Sequence, residues 1–163
     1  MDNQELLNQL KDKNTDDVKL FSLDGQTLYG KVVEIYDGDT CKIIVCLNNT
    51  LQKFNCRLFG LDTPEIKPLI SKPDRETEIL NAHKSRNRLL QLATTCNCNN
   101  DTLYKKSEIK KILDLNKKIL IVKCYEFDKY GRLLVELIDN EININKTLID
   151  EGFAKEYFGG TKL

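Results

Sequence analysis

The sequence predicts an α+β chain that is mainly β, a small five-stranded barrel with two to three helices packed on it. Short β-branched and apolar runs alternate with Asp-Gly and Asn-rich turn signals. One longer segment, residues 75–93, instead spaces its apolar side chains at helical intervals. The whole is 163 residues, enough to build one modest core and not two.

Taken in order, residues 1–16 are a polar leader with Leu6, Leu7 and Leu10 at helical spacing. That stretch has too little apolar surface to offset its ordering entropy, so it reads as a frayed helix or a disordered leader. A single domain is expected over 17–163. Val18-Lys19-Leu20-Phe21 begins an extended stretch that reaches the Asp24-Gly25 turn, and Thr27 to Tyr36 is the first clear strand. Asp37-Gly38 is a hairpin dipeptide. Cys41 to Leu47 is the partner strand, Asn48-Asn49 turns, and Leu51 to Leu58 completes a meander.

Asp74 reads as a helix N-cap, with Glu76 and Glu78 in a first turn whose dipole favours acid. Ile79, Ala82, Leu89, Leu90 and Ala93 then share one face. Thr94 to Asn116 starts as a loop and continues as a charged helix with Ile109, Ile112 and Leu113 at helical spacing. Ile119 to Phe127 and Leu133 to Ile138 form a hairpin across Asp128–Arg132. Asn145 reads as the cap of a last helix ending near Gly152, after which Phe153 and Ala154 pack back. Five strands is the count of an OB-fold-like Greek-key barrel, whose curved face and loops commonly bind nucleic acid.

Composition narrows the partners and the chemistry. Lys+Arg and Asp+Glu are 25 each, so any polyanion must be met by a local patch and not by overall charge. No apolar run approaches membrane-spanning length, and the first residues lack a signal peptide, so the chain as written is expected to be intracellular, without a membrane, and a monomer. The six cysteines show no Cys-x-x-Cys pair. Cys96 and Cys98 read as a reduced surface pair, and Cys41, Cys46, Cys56 and Cys124 as small core or near-core side chains. The one histidine, His83, lies in the helical run among Lys84, Arg86 and Arg88. Ser/His and Cys/His triads, and histidine-activated water, are therefore poorly supported.

Three polar knots follow apolar runs: Asp37-Gly38-Asp39-Thr40, Arg57 through Glu65, and Asp128-Lys129-Tyr130-Gly131-Arg132. Cleaving a phosphodiester requires neutralising its oxygens, delivering a deprotonated water and stabilising the leaving alkoxide. Asp39 and Asp62 are hard oxygen donors suited to Ca²⁺ or Mg²⁺. Glu65 is the candidate general base, a role that typically contributes ~10²–10⁴-fold in rate. Arg57 and Arg132 offer planar forks matched to phosphate. Each knot also has a plainer explanation: Asp-Gly recurs in hairpins for backbone reasons, Asp62-Thr63-Pro64-Glu65 can start a helix, and Arg57 can make a surface ion pair. Their joint occurrence at strand ends favours a site.

In these residues the sequence resembles the staphylococcal nuclease (thermonuclease) family, from about Gly30 to about Lys155. The shared pattern is Asp-Gly-Asp-Thr, then Arg57 ahead of Asp-Thr-Pro-Glu, then Asp-Lys-Tyr-Gly-Arg. The resemblance implies that Asp39, Asp62 and the carbonyl of Thr63 hold Ca²⁺, that Glu65 activates water, and that Arg57 and Arg132 bind the scissile phosphate. It implies that Lys129 and Tyr130 lie beside a neighbouring phosphate or base. Lys67 and Lys72, on a proline-punctuated loop, are candidates for phosphate contacts, with a solvated loop as the plainer alternative. The implied reaction is hydrolysis of DNA and RNA with little sequence preference, leaving 3′-phosphates.

Compared with the family, residues near 96–118 form a longer, helical insertion, and the final helix has no counterpart. The tyrosine pair of the family's nucleotide pocket is replaced by Phe158 and Gly160, with Tyr157 as a substitute. Stacking on such a ring is worth ~1–3 kcal/mol per base. The rival expectation is a non-catalytic nucleic-acid or partner-binding barrel. Retention of Asp39, Asp62 and Glu65, whose charge repels phosphate unless a cation is present, favours the enzyme. A calcium module is weaker still, because the spaced acidic loop of an EF-hand is missing.

Overall fold

The structure is a computed structural model, and it describes residues 1–159. The first helix, α1 (Asn3–Asp12), is capped by Asp2, whose side chain accepts from the Glu5 N–H. It buries no residue. A single 3₁₀ turn, Thr15–Asp17, follows. The extended stretch expected at Val18–Phe21 does not join a sheet: Leu20 is 96% and Phe21 67% exposed, and only Leu23 enters the core. With a single inward side chain, the segment has little burial to hold it in a ladder.

The meander is as the turn chemistry predicts. Strand β1 (Thr27–Ile35) pairs antiparallel with β2 (Thr40–Leu47), and β2 with β3 (Thr50–Leu58). Asn48 and Asn49 both take positive φ, 49° and 61°, as a two-residue primed hairpin turn demands. In β2 the side chains of Cys41, Ile43, Val45 and Leu47 alternate inward. A bulge between Val32 and Glu34 re-phases β1 so that Val32 and Ile35 both face the core.

A short strand β4 (Leu61–Asp62) follows, then α2 (Arg75–Ala93), α3 (Lys106–Leu115), β5 (Leu120–Phe127), β6 (Leu133–Asp139), β7 (Ile142–Asn143), α4 (Ile144–Asp150) and β8 (Lys155–Glu156). Strand β5 adds to β1 and β6 to β5, both antiparallel. Parallel pairing of β3 with β6 closes five strands into a barrel. The fold is α+β and mainly β, with three helices packed on the barrel. Ile43, Leu58, Val122, Leu133, Val135 and Leu137 fill the barrel, while α2 adds Leu89 and Leu90, α3 Ile109 and Leu113, and α4 Ile144 and Leu148.

Several local expectations need correction. Asp74 sits at the N-cap position of α2 but in the left-handed region (φ 57°), and its side chain makes no capping bond. Asn143, not Asn145, caps α4 by accepting from the Lys146 N–H. Asn145 is buried; its Oδ1 accepts from Leu137 N–H and its amide donates to the carbonyls of Phe59 and Val135. Ile79 is only part-buried. All six cysteines are free thiols, but Cys98 is buried and Cys46 is exposed, the reverse of the expected arrangement.

Candidate functional site

Strand register brings the first two knots together. Thr40 is the β2 partner of Arg57 on β3, so Asp39 at the mouth of the hairpin lies beside the start of the second knot. The backbone fixes it there, because the Leu58 N–H donates to the Asp39 carbonyl at 2.8 Å. The third knot arrives through barrel closure. Arg57 is the parallel partner of Leu134 on β6, two residues after Arg132.

Gly38 permits the tight approach. A Cβ there would lie 2.7 Å from Ser85 Cβ and 2.8 Å from Thr63 Cγ2, so only glycine lets the turn rest against α2 and the second knot. Asp37 folds that turn by accepting from the N–H groups of Asp39 (3.1 Å) and Thr40 (2.8 Å). Burial and the adjacent Asp39 charge push the Asp37 carboxyl up to about 7.

Asp39 is 6% exposed, and both of its carboxylate oxygens accept hydrogen bonds. Its Oδ1 accepts from the Thr40 hydroxyl at 3.0 Å, and its Oδ2 from the Thr63 N–H at 3.2 Å. The Arg57 Nη2 donates to Asp39 Oδ2 at 3.4 Å and to Asp62 Oδ1 at 3.1 Å, tying both acids to one guanidinium. Thr63 Oγ1 is buried with no hydrogen-bond partner among the described residues. Glu65 is exposed, and its N–H donates to Glu78 Oε1 at 3.1 Å.

In the third knot, Asp128 Oδ1 accepts from the N–H groups of Tyr130 and Arg132, and Oδ2 from Arg132 Nε at 2.7 Å. Burial raises the Asp128 carboxyl, but these bonds outweigh it and leave the group below its ordinary value. The Arg132 guanidinium lies 5.4 Å from the Tyr130 ring centroid, and Lys129 Nζ 5.1 Å from it.

A cleft of about 660 Å³ gathers Asp39, Arg57, Thr63, Glu65, Lys67, Lys129, Tyr130, Arg132 and Tyr157 along its walls. Asp62 and Lys72 line the adjoining groove, where Lys72 is ion-paired with Glu78. Tyr157 is held by a contact the sequence did not announce. Strand β8 pairs with β4, Lys155 opposite Asp62, and the Tyr157 N–H donates to the Gly60 carbonyl at 3.0 Å. Its ring sits 5.5 Å from the Arg57 guanidinium. Phe158 packs edge-on to Phe59, which stacks on Tyr125 at 4.0 Å. Gly160 lies outside the described residues.

Sequence reasoning missed Asp37 as a half-buried acid, Phe59 as part of the cleft wall and Glu78 as a partner of the second knot. Only Asp37 carried a signal, an Asp two residues ahead of a second Asp in a turn. His83 stands apart from the cleft, with its Nδ1 2.8 Å from Arg86 Nη2. Among the described residues, no three His, Cys, Asp or Glu side chains cluster as a metal cage.

With the geometry in place, the family profile described as staphylococcal nuclease homologue matches residues 55–162, well over half the chain. The chain belongs to that family. As a staphylococcal nuclease homologue it is a nuclease-like or nucleic-acid-binding module. The matched stretch contains Arg57, Asp62, Glu65 and Arg132. A relative, an uncharacterized protein of Methanocaldococcus jannaschii, is 32% identical over 83% of this staphylococcal nuclease homologue. The chain spans 62% of that relative's length. Among the described residues of the homologue, no helix is long and apolar enough to cross a membrane.

Proposed function

We propose that this chain is a calcium-dependent phosphodiesterase that hydrolyses DNA and RNA with little sequence preference and leaves 3′-phosphates. The observation that carries the reading is the placement of Asp39, Arg57, Glu65 and Arg132 around one cleft, brought there by β2–β3 register and β3–β6 closure.

The donor set fits a hard cation. Asp39 and Asp62 already share one positive group, Arg57 Nη2, and Thr63 beside them has a buried hydroxyl oxygen without a partner among the described residues. Asp39, Asp62 and the Thr63 carbonyl would hold Ca²⁺, which when bound would polarise a phosphoryl oxygen. Arg57 and Arg132 receive the scissile phosphate, each contact worth ~2.7–4 kcal/mol in the transition state. Glu65, exposed at the cleft wall, takes a proton from the attacking water as its oxygen bonds to phosphorus. The bond to the 5′-oxygen breaks, and that oxygen leaves as a hydroxyl after gaining a proton from solvent. Lys67, Lys129 and Tyr130 hold neighbouring phosphates or bases, and Tyr157 offers a ring to the nucleotide. Lys72, engaged with Glu78, serves the adjoining groove.

The second reading is a binding-only barrel, and one observation favours it: Arg57 bridges both metal-binding acids. One experiment separates the two. Single-stranded DNA is incubated with the protein in Ca²⁺, Mg²⁺ or EDTA, beside Glu65→Gln and Arg57→Ala. Cleavage in Ca²⁺, abolished by EDTA and reduced by orders of magnitude in either variant, is expected. Binding without cleavage in any of these buffers rejects the enzyme.

A further inference from the structure

A second groove of about 660 Å³ opens beside the cleft, between the β1–β2 edge and the start of α3. The two are continuous, sharing Tyr36, Thr40, Ile66, Lys67, Tyr130 and Arg132. In a chain of zero formal charge, this wall is strongly one-sided. Five cations, Lys42, Lys67, Arg86, Lys106 and Arg132, line it beside one carboxylate, Glu34, with Asp128 paired to Arg132 from the neighbouring cleft. Glu34 is itself neutralised, bonded to Lys42 at 2.6 Å. That bond, and the charges of Lys106 and Lys53 nearby, hold its carboxyl below the ordinary range.

Arg86 is the unusual member. It is 6% exposed, and its Nη2 donates to the Tyr104 carbonyl at 2.7 Å and meets His83 Nδ1 at 2.8 Å. Its Nε is buried and has no hydrogen-bond partner among the described residues. Its charge, which Asp37 also feels, adds to that of Lys42, Lys67 and Lys106 in the field an anion in the groove would meet. The groove also carries π surface and apolar floor. Tyr36 and Tyr130 are exposed, 52% and 72%, above Ile35, Cys41 and Ile66. Rings and cations along one groove suit an unstacked strand, since each base has a face to stack and each phosphate a charge to neutralise.

Resting on the nuclease reading, we propose that this groove is an extended subsite. It takes the nucleotides of a single strand next to the scissile phosphate, with α3 supplying its outer wall. The inserted segment is then a substrate-binding element, and it sets how long a strand the protein grips.

The test uses the full chain carrying Glu65→Gln, in Ca²⁺, with fluorescently labelled oligo-dT as a dinucleotide and as an octanucleotide. Anisotropy titrations over a salt series are compared for that protein and for versions adding Lys106→Gln, Lys42→Gln, or Lys146→Gln on the far helix α4. The octanucleotide is expected to bind more tightly than the dinucleotide. Lys106→Gln and Lys42→Gln should each weaken octanucleotide binding and flatten its salt slope by about 0.7, one phosphate contact on a single strand. Lys146→Gln should change neither. Octanucleotide affinity and slope unaltered by both groove substitutions, with binding intact, overturn the subsite and leave the cleft reading standing. Absence of binding at either length rejects the cleft reading as well. A duplex that binds with the same dependence on Lys106 overturns the single-strand assignment.

Discussion

Arg57 donates to Asp62 across 3.1 Å, and the same nitrogen reaches Asp39. A guanidinium thus already sits where two acids would otherwise repel each other. Arg57→Ala removes the shared cation from a pair that is nearly buried, so unfolding free energy in EDTA should fall by about 3 kcal/mol. Added Ca²⁺ should restore part of that loss by binding the native state alone. Urea titrations with and without Ca²⁺ measure both effects, and a variant as stable as the wild type in EDTA contradicts the bridging role.

Gly38→Ala puts a methyl against Ser85 and Thr63, at 2.7 and 2.8 Å. Overpacking of this kind costs ~1–3 kcal/mol. Because the turn carries Asp39, activity should fall further than stability alone explains. Comparing residual cleavage with the fraction folded, at one temperature, separates the two.

Asn145→Ala strips the partners from Leu137 N–H and from the Phe59 carbonyl, while the Val135 carbonyl keeps the Phe59 N–H. Each buried group left unpaired costs ~1–3 kcal/mol. The variant should lose several times more stability than Asn143→Ala, which removes a helix cap worth ~1 kcal/mol. Chemical denaturation of the two side by side is the check.

The thiols should divide by depth. Burial pushes the Cys56 thiol up to about 12 and raises that of Cys41, so neither forms thiolate in the folded protein near neutral pH. Cys46 is exposed. Under native conditions an aromatic disulfide reagent should label Cys46 quickly and reach Cys41 and Cys56 only on unfolding. Peptide mapping after brief exposure reads the order.

Arg88 joins α2 to the end of α4 through two bonds to Glu151, 2.6 and 2.8 Å long. The bond from Arg88 holds the Glu151 carboxyl below 4.5. A lowered carboxylate contributes stability above its unfolded pKa and loses that contribution as pH falls through its folded value. Arg88→Gln should therefore cost most near neutrality, within the ~0.2–1 kcal/mol of exposed pairs. The gap to wild type should close as pH drops below 4.5. A gap that stays constant across this range contradicts the assignment.

The parts of the fold legible in sequence were those written in local chemistry. Asn48-Asn49 announced a turn, and the apolar run Cys41 to Leu47 announced a strand beside it. The knots were legible because each ends such a strand. What escaped depended on long-range pairing. Nothing local distinguishes Asn143 from Asn145 as a cap; the choice follows from which amide the barrel buries. The β4–β8 pair is two residues on each side, too short for periodicity to register, yet it positions Tyr157. Arg86 looked like one charge on a helix face and proved to be buried, held by the Tyr104 carbonyl of the loop that leads into α3. Lys72 was grouped with Lys67 by sequence neighbourhood, whereas the loop carries it to Glu78 and away from the main cleft.

Closure of β3 against β6 bears on synthesis as well as shape. The acidic half of the cleft leaves the ribosome first, and Arg132 and the strand that seats Tyr157 emerge only after it. On the proposed activity, a nascent chain has no assembled cutting edge until β8 has docked against β4, and until then the messenger being read stays out of danger.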